Sequence, residues 1–138
     1  MSGPQLASAL DATRLTLHVL AATVWVGGQL TVAGLLPTLR GFGAEATRSV
    51  AGAFGRLQWP AYVVLLATGI WNVTAVHVGQ ASGTWLAVLY VKVGVVVLAG
   101  VSAYLHQRST STLGLALGGA VTAVASLAAL ALGVLLAG

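Results

Sequence analysis

A chain of 138 residues that is 58% hydrophobic and 6% charged, with a mean hydropathy of +0.97, fits no soluble class. Its net charge of +4 comes from six basic residues set against Asp11 and Glu45, too sparse and scattered for a nucleic-acid face, so no nucleic-acid partner is expected. With no cysteine there is no disulfide framework or thiolate metal site, and with Met1 the only methionine there is no thioether relay for Cu(I).

The expected architecture is all-α: an integral membrane bundle of four transmembrane helices forming a single domain over residues 1–138. Hydropathy and punctuation place the spans at about 15–39, 57–78, 85–105 and 113–137. Residues 1–13 carry no Lys or Arg, and the first run is longer than a signal h-region and lacks a convincing cleavage site, so it is read as a retained span. Arg40, Arg48 and Arg56 fall in the first connection and Arg108 in the third, while the second has no Lys or Arg. The positive-inside rule then puts those connections in the cytoplasm and both termini on the outer side of a cytoplasmic membrane.

In the first span His18, Ala22, Trp25, Gln29 and Val32 recur at helical spacing, a stripe expected to face protein. The connection after it is Ala-rich from Ala44 to Arg56 and is expected to extend the second helix into the cytoplasm. Pro60 would kink that helix near the interface, with Trp59 and Tyr62 as headgroup anchors. Trp71 and Trp85 flank a short outer loop that contains His77. The fourth span, with Gly114, Gly118, Gly119 and Gly133, is a packing helix that offers close approach to a second copy or to a partner membrane or periplasmic protein.

Counting about 1.5 Å per residue puts His18, Asn72 and Lys92, on three different spans, in the outer half of the membrane. An ammonium within a span costs about 2.5–3.5 kcal/mol on insertion scales, so Lys92 either snorkels or meets neutral acceptors, lipid phosphate or an anionic ligand such as a propionate. His18 is an axial ligand for haem iron, a copper or zinc ligand, or a proton-transfer group, against the alternative of a hydrogen-bonded interfacial histidine. His77, otherwise an ordinary loop histidine, lies on the same side and would complete a metal site with His18. His106 is expected to cap the third helix together with Arg108. No carboxylate or thiol lies in a span, which argues against hydrolytic or nucleophilic catalysis.

The segment Leu17-His18 through Trp25-Val26-Gly27-Gly28 resembles the opening helix of the copper resistance D (CopD-like) membrane proteins. Phe54-Gly55-Arg56-Leu57 with Pro60, Thr68-Gly69-Ile70-Trp71-Asn72, and Trp85 followed by Leu89-Tyr90-Val91-Lys92 resemble the rest of that pattern, up to His106. The resemblance implies copper uptake or tolerance, with copper as the bound ion. The skeleton His18, Trp25, Gly28, Pro37, Arg56-Leu57, Trp85 and Lys92 also resembles HemJ-type protoporphyrinogen oxidases, which implies haem b. The chain departs from that pattern at Ala103, near where a later histidine is expected, His106 lying three residues on. The expected cofactor-binding residues are thus His18, Trp25, Asn72 and Lys92, and the expected metal ligands His18 and His77. A third expectation is a small assembly subunit without a cofactor.

Overall fold

The computed structural model describes residues 3–138, in which all regular structure is helical. The chain divides into two compact units, Met1–His77 and Val78–Gly138.

The first helix is capped by Ser8, whose hydroxyl oxygen accepts from the backbone N–H of Asp11 (3.1 Å) and whose proton goes to the Asp11 carboxylate (2.7 Å). This cap satisfies one of the orphan donors at a helix start. Helix α1 (Ala9–Ala22) runs through a single π turn (Thr23–Gly27) into α2 (Gly28–Gly41). The junction residues Thr23 and Gly28 keep right-handed helical angles, so the three pieces form one continuous helix of 33 residues, about 50 Å long.

Phe42 and Gly43 reverse the chain. Gly43 has φ +99°, a region that only glycine enters cheaply, and the N–H groups of both residues return to the carbonyls of Leu39 and Arg40. Helix α3 (Ala44–Thr74) then packs back along both α1 and α2. It absorbs the Ala-rich connection as expected and passes through Pro60 without a break. It stops at Thr74, four residues short of the expected end of the second span, which leaves His77 in the loop beyond.

After a 3-10 turn (Val78–Gln80), the second unit is a hairpin of α4 (Gly83–Arg108) and α5 (Thr112–Ala137). Both helices start on serine caps: the oxygens of Ser82 and Ser111 accept from the N–H groups of Trp85 and Gly114. The buried positions between them are small, namely Ala99, Gly100, Ser102 and Ala103 on α4 and Thr122, Ala125 and Ser126 on α5. The hydroxyls of Ser102 and Thr122 lie 3.1 Å apart across the seam and also bond their own helix carbonyls.

Small-residue packing of this kind replaces the hydrophobic driving force that lipid removes. The glycines of α5 expected to dock a partner are used inside the hairpin: Gly118 and Gly119 receive His106, and Gly133 receives Lys92. His106 does not cap its own helix. It reaches across to the Leu115 carbonyl (2.8 Å), while Arg108 stacks over the Tyr104 ring.

Among the described residues three helices are long and apolar enough to cross a membrane: Ala9–Gly41, Gly83–Arg108 and Thr112–Ala137. The protein is therefore a helical membrane protein. Helix α3 is long enough but carries Gln58, Trp59, Pro60, Tyr62, Thr68 and Asn72 in its apolar half. Much of that polarity is turned toward the helix it packs on, Gln58 and Thr68 being 5% and 4% exposed. Hydropathy counts such residues as if they met lipid.

Candidate functional site

The polar groups of the first unit meet along the seam between α1 and α3, one helical turn apart. At the level nearest the start of α1, Arg14, 9% exposed, donates from Nη1 to Asn72 Oδ1 (2.7 Å) and from Nη2 to Asp11 Oδ1 (2.8 Å), while its buried Nε has no hydrogen-bond partner among the described residues. Arg14 thus joins the start of α1 to the end of α3 through one planar, charge-assisted fork.

Four residues further into each helix, His18 Nδ1 lies 2.7 Å from Thr68 Oγ1. The hydroxyl of Thr68 reaches the Val64 carbonyl at 2.6 Å, and a carbonyl can only accept. With its proton directed at Val64, the Thr68 oxygen is placed to accept from Nδ1–H of His18. In a neutral ring held this way the lone pair sits on Nε2. A histidine bound to a metal through Nε2 is oriented in this way by a hydrogen bond from its other nitrogen. Gly69 lies beside the ring, where a Cβ would come to 3.8 Å from Cε1.

Two turns deeper, Trp25 is 3% exposed and packs against Tyr62 (centroids 4.6 Å) and edge-on to Trp59 (5.9 Å). Trp59 and Tyr62, one turn apart on α3, both pack on this ring. Trp25 sits within the π turn, the kind of local widening that recurs at functional positions in helices. Beyond it Gly28 takes the Phe54 ring where a Cβ would stand, so the close contact after the π turn falls at Gly28.

Of the expected site residues, the seam brings together His18 and Asn72, on adjacent levels, with Trp25 at their inner end. His77 is exposed and lies beyond the end of α3, nine residues on from Thr68. Lys92 belongs to the second unit. Its ammonium fills the notch at Gly133, where a Cβ would come within 2.9 Å of Nζ. Trp85, one heptad earlier on α4, donates from its indole N–H to the Leu136 carbonyl (3.3 Å), so both side chains attend the last turns of α5, where the helix dipole favours a cation.

Sequence reasoning passed over two members of the seam. Asp11 and Arg14 are spaced i, i+3 at the head of an apolar run, and Thr68, four residues before Asn72, shares its helix face. Replacing Asn72 with Leu would strip one acceptor from a buried guanidinium, a bond to a charged group worth about 1.5–3 kcal/mol. The Asn72→Leu protein is expected to unfold at lower temperature in detergent, while Asn72→Asp, which keeps the acceptor, is expected to stay near wild type.

Comparison with known proteins finds no match among family models, curated proteins or solved structures.

Proposed function

We propose that the protein is a CopD-like membrane protein that binds a transition metal through Nε2 of His18, in the service of copper handling. The observation that carries this reading is the pairing of His18 Nδ1 with Thr68 Oγ1, whose hydroxyl also reaches the Val64 carbonyl, the kind of second hydrogen bond that orients a metal-binding imidazole. Among the described residues no three His, Cys, Asp or Glu side chains gather, so an ion at His18 would complete its shell from carbonyl, amide or water oxygen. Such a mixed N/O set suits Cu(II) or Zn(II) better than Cu(I).

That donor count also favours a second reading, haem b, because a macrocycle would bring four nitrogens of its own and ask a single imidazole, that of His18, from the chain. Arg14, one turn from His18, is the cation nearest in the helix to meet a propionate. Haem would supply one-electron chemistry; the chain's part would be to hold the iron at Nε2, fix the ring through Thr68 and screen the site from water with Trp25.

In the same reading α3 also crosses the bilayer, since it is bonded to the first long helix at Arg14 and His18 and packed on it at Trp25 and Gly28. The arginine-bearing connections face the cytoplasm and both termini face outward. The test is the optical spectrum and metal content of detergent-purified protein, wild type beside His18→Ala. A Soret band that depends on His18 selects haem, and bound copper that depends on it selects the ion. Equal metal and equal absorbance in both proteins would remove the site.

A further inference from the structure

The second unit holds a charge that no acid within it can neutralise. Residues 78–138 contain no Asp or Glu, and their permanent cations are Lys92 and Arg108, about 24 Å apart along α4. Arg108 closes the last turn, over the Tyr104 ring. Lys92 lies inside the span, and its ammonium has no hydrogen-bond or ion-pair partner among the described residues.

Packing against α5 sets the level of that ammonium. Long side chains on a helix lean toward its start, so the stem of Lys92 runs along the seam toward Trp85, one heptad earlier on the same face. It stops at Gly133, where a Cβ would stand 2.9 Å from Nζ and 3.6 Å from Cε. From Gly133 the helix runs on only to Ala137, about 6 Å further along the axis. Between these two residues the Trp85 indole donates to the Leu136 carbonyl, and tryptophans near a span's end mark the boundary of headgroups and acyl chains. The ammonium thus lies about one turn below that boundary. Val134 and Leu135, next to the notch, are 67% and 66% exposed, so the surface beside it meets acyl chains.

We propose that Lys92 binds the phosphate of an anionic phospholipid in the leaflet at this end of the hairpin. A cation this close to the boundary, with no acid in its unit, is matched by an anion that carries its own acyl chains. A soluble anion would have to enter hydrocarbon to reach it, and a zwitterionic lipid brings a cation of its own. Gly133 serves the site by leaving room for the ammonium against the last turns of α5, whose end carries partial negative charge. The site lies wholly within the second unit and is independent of what His18 binds.

Lys92 is the only lysine in the chain, so reductive methylation with isotope-labelled formaldehyde marks its amine, keeps the charge and gives one side-chain NMR signal. With the full chain in zwitterionic detergent, short-chain phosphatidylglycerol is expected to move that signal to saturation, while short-chain phosphatidylcholine and inorganic phosphate leave it in place. Lys92→Gln is expected to weaken phosphatidylglycerol binding about fivefold by calorimetry, the contribution of one lysine near a membrane surface. Gly133→Ala puts a methyl where the ammonium stands, and only the flexible tip of Lys92 has to give way, so the signal is expected to shift before any lipid is added. A signal indifferent to phosphatidylglycerol, an equal response to phosphatidylcholine or inorganic phosphate, or unchanged affinity in Lys92→Gln overturns the site. A signal unmoved by Gly133→Ala overturns its placement.

Discussion

The His18→Ala protein is expected to purify with neither bound copper nor a Soret band, while keeping the helix content of the wild type. His18 is only partly buried, and its loss removes the hydrogen bond to Thr68 from a seam that Arg14 and Trp25 continue to hold. The more informative companion is Thr68→Val. Valine fills nearly the same volume but cannot accept Nδ1–H, so the ring loses its orientation. Outer partners of this kind are worth about 10–100-fold in metal affinity, and Thr68→Val is expected to weaken binding by that factor without abolishing it. Metal titration by isothermal calorimetry, or haem transfer followed at the Soret wavelength, measures it. Unchanged affinity in Thr68→Val would show that the bond only packs the helices.

The largest structural effect is expected in the hairpin of the second unit. A Cβ at Gly118 would stand 2.8 Å from His106 Cβ and 3.0 Å from His106 Cα. The second of these is backbone, which cannot swing aside as a side-chain tip can, so α4 and α5 must separate. Overpacking of this sort costs about 1–3 kcal/mol for small additions, and Gly118→Ala is expected near the top of that range. Gly118→Leu is expected to open the hairpin and expose the buried hydroxyls of Ser102 and Thr122. Gly94, where a Cβ meets nothing within 4 Å, is the internal control: Gly94→Ala should be neutral or slightly stabilising. Unfolding in mild detergent titrated with a denaturing one separates the three variants.

Much of the fold was legible in the chain because apolar length is a property of composition. The four helices and the polar stripe through His18 and Trp25 follow from it. Partnership was less legible: α4 is apolar on most sides, so its periodicity does not say which face meets α5, and only the glycines at 118, 119 and 133 hinted at it. Helix α3 misleads in the opposite direction, since Gln58, Thr68 and Asn72 lower its hydropathy while facing a neighbour. The π turn left no trace, because Thr23-Val24-Trp25-Val26-Gly27 reads like any apolar helical stretch.

That widened turn sets a rule for how the chain can vary. In an ordinary helix each residue advances the azimuth by about 100°. A π turn holds one residue more than the α turn it replaces, so deleting one residue between Thr23 and Gly27 would let an ordinary α turn form and still present Gly28 to Phe54. A deletion between His18 and Ala22, with the π turn kept, would instead swing Gly28 away while Arg14 and His18 stayed docked. The first unit is keyed by rotation rather than by thickness, and the widened turn is the one place where it can absorb the loss of a residue.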